Sequence, residues 1–533
     1  MTDHNAPETT AVGKRNWFTR FLDTVEWLGN LLPHPVTLFA ILAFGMVLLS
    51  GLFGWLDLAV PDPRPEGMRG RADDGMIRAV SLLNADGLRM IVTNLVDNFT
   101  GFAPLGVVLV AMLGVGVAEK SGMISALVRG IVLNASRHVV TVAIVFAGVL
   151  SNTASEMGYV VLVPLAAAVF YSLGRHPLAG MAAAFAGVSG GYSANLLIGT
   201  IDPLLAGITE EAAQLIDSDY TVDATASYFF MVVSTFMITV IGTLVTTFIV
   251  EPKLGAYDAS NADEGILDGR SMQPLSSGEK KGLTAAGLTA LGVFALMAVT
   301  LVPEWGPLRN PETGEMIRSP FFRGIVAWIF VFFLATGFAY GRTVGTMRND
   351  RDVIDGMSSA IATLGMYIVL VFFAAQFVAF FGWTNLGAIT AVTGANFLQG
   401  IGLTGPLVFV FFIAVCGVIN LSLGSASAQW AVTAPIFVPM LMLIGYSPEV
   451  IQTAYRIGDS STNIITPMMS YFGLILAWVT RYNKNFGIGT LVATMLPYSI
   501  FFITGWAVLF LLWTFGLHMP VGPGSPTYYT AGQ

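Results

Sequence analysis

Runs of about twenty apolar residues recur along the whole of this 533-residue chain, and roughly twenty helical residues are what a bilayer core of about 30 Å requires. Nine stretches meet that requirement, two of them marginally: 36–56, 102–118, 178–206, 226–250, 282–303, 322–341, 358–382, 449–479 and 488–515. Only 11% of the residues are charged and 55% are hydrophobic. A water-soluble domain carries about 25% charge, so this chain cannot cover a water-facing surface and its long helices must face lipid. The first apolar run is too long and too late for a secretory signal, and no small-residue cleavage site follows it, so it is read as the first membrane helix. The fold class expected is an all-α polytopic membrane protein.

Two further apolar regions, near 138–172 and 404–446, are each interrupted by a polar cluster: Ser151 to Glu156 in the first, Asn420 to Gln429 in the second. Polar backbone turns are tolerated at membrane depth only inside protein or beside a water-filled cavity. Each region therefore reads as a re-entrant hairpin whose tip reaches the membrane interior. Two spans joined by a short outer loop fit less well, because the tips are small and polar and lack Lys and Arg.

Charge sets the expected orientation. With the N-terminus inside and both hairpins returning to their side of entry, inner segments hold sixteen of the twenty-five Lys and Arg. Outer segments hold eight, five of them in one long loop, and Arg456 alone lies within a span. This bias satisfies the positive-inside rule. The expected organisation is an inner tail (1–35), a first half (36–250) with an inner-side hairpin near 138–172, an inner loop (251–281), a second half (282–515) with an outer-side hairpin near 404–446, and an outer tail (516–533). Amphipathic stretches near 119–136 and 384–401 are expected along opposite membrane surfaces.

The order of features repeats. The chain enters the tips through GVLSNTAS (from Gly148) and GVINLSLGSAS (from Gly417). The arms that follow carry Pro164, or Pro435 and Pro439, and end at turns with Pro177 and Pro448. The next spans are broken at GGYSAN (Gly190 to Asn195) and GDSSTN (Gly458 to Asn463). Since the hairpins enter from opposite sides, the repeats are inverted, an architecture of many secondary transporters.

Broken helices expose carbonyls and helix ends, and Ser, Thr and Asn add oxygens that can replace the water around a small cation. One candidate site combines Ser151, Asn152, Ser155, Ser193 and Asn195. The other combines Ser422, Ser425, Ser427, Asp459, Ser460, Thr462 and Asn463. Helix-to-helix hydrogen bonding or capping at the breaks is the plainer reading of any single one. Glu156, Asp202, Arg456 and Asp459 are charges within membrane segments, each costing roughly 2.5–3.5 kcal/mol at mid-helix and so needing a reason. Arg456 either pairs locally with Asp459, three residues on, or grips an anionic cargo with its forked donors. Asp202 carries a proton, pairs with a cation, or ends a helix near the outer surface. Trp430, beside the second tip, is placed to stack on a flat aromatic cargo rather than to sit in a lipid belt.

Other classes are excluded by what the sequence lacks. The net charge is −8 with no basic run, which argues against nucleic acid. The single cysteine, Cys416, allows no intrachain disulfide and no cysteine metal cluster. No nucleophile–base constellation or phosphate loop is present, so neither an enzyme nor an ATP-driven pump is expected. No cofactor is expected beyond a coupling Na+ or H+.

Through NTASEMGYVVLVPL (from Asn152), GGYSANLLIGTIDPLLAGIT (from Gly190), SASAQWAVTAPIFVPM (from Ser425) and YSPEVIQTAYRIGDSSTNIITPMMSYF (from Tyr446), the chain resembles the p-aminobenzoyl-glutamate transporter (AbgT) family from Trp27 to Phe515. The resemblance implies nine spans and two hairpins per protomer, a homodimer in a bacterial inner membrane, which makes the inner tail and loop cytoplasmic and the outer tail periplasmic, an inward-opening cavity, and a fold of the ion-transporter superfamily type. It further implies that the family's important Asp, Trp, Pro and Arg fall on Asp202, Trp430, Pro448 and Arg456. The function expected is cation-coupled transport of p-aminobenzoate or p-aminobenzoyl-glutamate-type compounds, with export of sulfonamide antimetabolites. A sodium-coupled symporter of dicarboxylates or other organic anions is the alternative, and an ion channel a more distant one.

Overall fold

The computed structural model describes residues 33–66, 71–154, 158–263, 274–317, 319–484 and 486–530. Ser155, Glu156, nearly all of the N-terminal tail, the middle of the 251–281 loop and the last three residues lie outside them.

The chain is built almost wholly of helices. In order these are α1 (Pro35–Trp55), α2 (Ala85–Thr100), α3 (Ala103–Ser121), α4 (Met123–Leu133), α5 (Val140–Ser151), α6 (Val163–Ser172), α7 (Pro177–Phe185), α8 (Ile201–Ala213) and α9 (Tyr228–Val245). After the central loop come α10 (Ser277–Leu301), α11 (Ile325–Val344), α12 (Asp350–Thr363), α13 (Gly365–Trp383), α14 (Leu386–Gly400), α15 (Val408–Leu423), α16 (Ala426–Leu443), α17 (Pro448–Asn463), α18 (Phe472–Tyr482) and α19 (Ile488–Phe510). The long loop after α1 departs from the all-α expectation: β1 (Ala59–Pro61) and β2 (Met76–Arg78) pair antiparallel, Val60 opposite Ile77. The same loop ends in α2, which extends the expected 102–118 span toward its N-terminal side.

Helix starts follow local chemistry. Pro35, Pro177 and Pro448 occupy first turns, where the missing N–H is not needed. They follow His34, His176 and Ser447, whose side chains accept from the N–H groups of Val36, Leu178 and Val450. Ser276 and Glu279 form a capping box at the start of α10.

Among the described residues, eight helical segments are long and apolar enough to cross a membrane. One of them, α16, belongs to the second polar-tipped region. The expected spans 178–206 and 449–479 supply no single long helix, because each breaks. α7 passes through a π-helical turn (Ala186–Gly190) and stops before α8, and α17 stops before α18. The order α3 to α9 therefore recurs as α13 to α19: long helix, short helix, two arms around a tip, two half-helices, long helix. The stretches 119–136 and 384–401 are the short helices α4 and α14.

Packing ties these parts together. α3 lies against α11 and α12, α10 against α11, and α1 against α13. In the first half α6 packs on α7. In the second half α15 packs on α17, and α17 on α19. The halves then cross over: α8 of the first packs on α16 and α17 of the second. Each hairpin's entering arm meets the following broken helix on a pair of glycines. A Cβ added to Gly148 would lie 2.9 Å from the backbone of Gly187, and one added to Gly458 would lie 2.5 Å from the Ile413 carbonyl and 3.0 Å from the Gly417 nitrogen. At the second tip Gly424 has φ of +52° and a Cβ there would lie 2.7 Å from the Met468 backbone. Only glycine meets both demands.

Candidate functional site

Helix α17 is polar along much of its length, with Glu449, Gln452, Thr453, Arg456, Asp459, Ser460, Ser461, Thr462 and Asn463, yet all sixteen of its residues are buried. Membrane segments place ionisable groups like these toward the bundle interior. Arg456 takes a partner other than the local Asp459. Its Nη1 lies 2.6 Å from Asp202 Oδ1 at the start of α8, and the side chains are 3% and 2% exposed. Asp202 Oδ2 accepts from the Gly199 backbone N–H at 2.6 Å. The pair joins the two halves of the chain. Asp459 makes no ion pair with Arg456, and both of its carboxylate oxygens are buried without a hydrogen-bond partner among the described residues.

The two tips are fastened to the two breaks in the same manner. Thr153 Oγ1 donates to Asn195 Oδ1 at 2.8 Å, and Asn420 Nδ2 donates to Asn463 Oδ1 at 2.8 Å. Asn420 Nδ2 also reaches the Asp459 carbonyl at 2.9 Å and Thr462 Oγ1 at 3.0 Å. Thr153 and Asn420 were not among the residues singled out from sequence. Their signal was position: each lies within the polar interruption, opposite the Asn that ends the broken motif. Ser151 spends its hydroxyl locally on the Gly148 carbonyl. Ser193 borders a small pocket shared with Arg456 and Trp506. Among the described residues, buried polar atoms without hydrogen-bond partners include Asn152 Nδ2, Asn420 Oδ1, Gln429 Oε1, Ser460 Oγ and the Asp459 oxygens. Native proteins keep few such atoms, and a concentration of them asks for a functional account.

A cavity of about 490 Å3 meets both tips and both breaks. Asn152 and the Gly424–Ser427 turn line it, with Tyr192 and Asn463 from the breaks. Val108, Met112 and Glu119 of α3 form one wall, a length of about 16 Å along the helix. The volume falls within the about 300–1,000 Å3 of small-molecule sites.

Trp430 sits away from this cavity. It is fully buried, stacked on Tyr455 with ring centres 4.2 Å apart and planes at 20°. Its Nε1 donates to Thr209 Oγ1 at 2.9 Å, and Thr209 donates on to Gln452 Oε1 at 2.6 Å. The ring therefore braces α16 against α8 and α17 in this conformation. Removing it with Trp430→Ala is expected to cost about 3–5 kcal/mol of stability, seen as a fall in the thermal-unfolding midpoint in detergent. A ring that served cargo alone would leave that midpoint unchanged. Pro448 opens α17 behind the Tyr446–Ser447 turn, which is held by the C-terminal segment: Ser447 Oγ donates to the Pro526 carbonyl at 2.6 Å.

Repeated polar-tipped helix pairs, broken helices and a water-accessible cavity between them define a polytopic membrane transporter. Residues 20–529 match the AbgT putative transporter family, and the chain belongs to that family. It is 35% identical over 500 residues to the p-aminobenzoyl-glutamate transport protein of Escherichia coli (strain K12), covering 94% of this chain and 95% of that one. Its structure is similar to that of Neisseria gonorrhoeae MtrF, described among a class of antimetabolite efflux pumps (TM-score 0.89, 59% identity, 95% of this chain and 100% of that one). It is also similar to the Alcanivorax borkumensis YdaH transporter (TM-score 0.85, 45% identity, 92% and 100%). These relatives are transport proteins, not enzymes, as the sequence implied.

Proposed function

We propose that this chain is a cation-coupled secondary transporter of p-aminobenzoate and p-aminobenzoyl-glutamate-type compounds, and that it exports sulfonamide antimetabolites as well. The observation that carries the reading is the cavity that meets both hairpin tips and both helix breaks. A carrier needs its cargo and its coupling ion where the moving parts converge. The E. coli relative supports the p-aminobenzoyl-glutamate class, and the description of MtrF as an antimetabolite efflux pump supports export.

In this reading each protomer of a homodimer has nine spans and two re-entrant hairpins arranged as inverted repeats, in the bacterial inner membrane. The sixteen-to-eight distribution of basic residues supports a cytoplasmic N-terminus and a periplasmic C-terminus. Glu119, next to Lys120 at the end of α3, then marks a cytoplasmic cavity mouth. Asp202, Trp430, Pro448 and Arg456 are the transport residues. The ion-coordinating residues are those of the two tip-and-break clusters. Buried oxygens of Asp459, Ser460 and Asn420 without hydrogen-bond partners among the described residues support this reading, since oxygen ligands suit a hard cation such as Na+. Among the described residues no group of three His, Cys, Asp or Glu is placed to hold a metal ion.

Flux of labelled p-aminobenzoate in proteoliposomes, under a sodium gradient and a proton gradient imposed separately, tests the proposal. Saturable accumulation that follows one gradient is the expected result and names the ion. Absence of flux under both removes this cargo and turns attention to dicarboxylates. Non-saturable flux down the cargo's own gradient shows a channel instead.

A further inference from the structure

The cavity carries an aromatic feature that the tip-and-break chemistry leaves unused. Tyr159, from the π-helical turn after the first tip, and Tyr471, from the second helix break, lie face to face with ring centres 4.6 Å apart and planes at 3°. Both line the cavity. Tyr159 is 5% exposed and has the edge of Phe185 6.3 Å away, so its ring is enclosed. Tyr471 is only half-buried and turns part of its surface to the cavity. Val108, Met112, Leu204 and Tyr367 also line it. Of the polar lining, Asn152, Ser425, Ser427 and Asn463 belong to the tips and to the second break, while Glu119 and Thr363 lie on α3 and α12. The lining thus sets aromatic and apolar side chains beside polar ones, a combination that a ring bearing a carboxylate would match. Trp430, the aromatic residue nearest the tip in sequence, is already stacked on Tyr455 and does not reach this space.

We propose that Tyr471 is the residue on which the cargo's aromatic ring stacks, extending the Tyr159–Tyr471 pair into the cavity, with the carboxylate toward the hairpin tips. This deepens the aromatic-carboxylate reading and rests on it. Tyr159 is then a positioning residue that holds the Tyr471 ring in plane. Stacked aromatic pairs gain more than their buried area alone provides, so ring selectivity follows from the geometry.

The test uses the full-length protein in nanodiscs and two probes of matched charge, the monoanions p-aminobenzoate and 4-hydroxycyclohexanecarboxylate, the second a saturated ring with a neutral polar para substituent, with affinities read by calorimetry. The unaltered protein is expected to prefer the aromatic probe. Tyr471→Ala is expected to weaken p-aminobenzoate binding about three- to tenfold and to leave the saturated probe nearly unchanged. Tyr471→Phe, which keeps the ring, is expected to bind both as the unaltered protein does and guards against a folding artefact. Equal loss for both probes, or an undiminished aromatic preference in Tyr471→Ala, overturns the proposal. Failure of the unaltered protein to bind p-aminobenzoate at all overturns the cargo reading beneath it and this inference with it.

Discussion

Asp202→Asn and Arg456→Gln are each expected to abolish p-aminobenzoate flux and to lower stability by about 3–5 kcal/mol, while the double variant recovers most of the stability and none of the flux. The reason lies in where the charges sit. Both side chains are almost wholly buried, their contact is 2.6 Å, and the remaining nitrogens of Arg456 have no hydrogen-bond partner among the described residues. Deleting either charge strands the other in a medium that solvates it poorly, and the cost is the unpaired charge rather than the lost attraction. Replacing both leaves two neutral amides that can bond to one another. Thermal unfolding of the three variants gives the coupling energy as a double-mutant cycle, and flux in proteoliposomes gives function. Stability losses that simply add would show that the two groups do not interact. Normal flux in Arg456→Gln would remove that residue from transport.

Gly458→Val is expected to eliminate monodisperse protein, whereas Gly292→Val is expected to express as the unaltered chain. The first substitution places carbon where the Ile413 carbonyl, the Cys416 side chain and the Gly417 backbone already stand. Backbone cannot swing aside as a flexible side chain can, and overpacking of this kind costs typically 1–3 kcal/mol and occasionally more. Here the displaced arm also carries Asn420, so the clamp on Asn463 goes with it. Gly292, on α10, has nothing within 4 Å of an added Cβ and serves as a control for a β-branched residue in an apolar helix. Size-exclusion profiles of the detergent extracts decide the matter. A monodisperse Gly458→Val protein would show that the hairpin crossing is looser than the packing implies.

Much of this fold was legible because lipid imposes a coarse rule. Twenty apolar residues announce a span, and a cluster such as Asn420 to Gln429 inside an apolar region announces a break in one. The break after Gly190 could be placed to within a few residues for the same reason, whereas Gly458 to Asn463 stay helical in α17 and the second break follows them, at 464–471. Pairing across the chain was less legible. Arg456 has Asp459 three residues away and Asp202 far upstream, and periodicity favours the near partner; only the crossing of α8 over α17 decides for the far one. Its place beside a tip suggests that Trp430 faces cargo, but a tip residue can turn inward, and Tyr455 on the facing helix covers it. Thr153 and Asn420 are hard to single out because several hydroxyl and amide side chains sit together in each interruption, and nothing in residue type says which one reaches the facing helix break. Tyr159 and Tyr471 lie in stretches that carry the family resemblance, yet their stacking depends on bringing the two halves together.

The ion pair between the halves also bears on how the chain is made. Asp202 leaves the ribosome roughly 250 residues ahead of Arg456, which at typical elongation rates is on the order of ten to fifty seconds. Throughout that interval the first half is in the membrane with a carboxylate whose partner does not yet exist, and the α8 face that will rest on α16 has nothing to rest on. The N-terminal half therefore cannot complete its packing as it is synthesised. Assembly has to wait for the last third of the chain, and a product released early would carry an unmatched charge that marks it as unfinished.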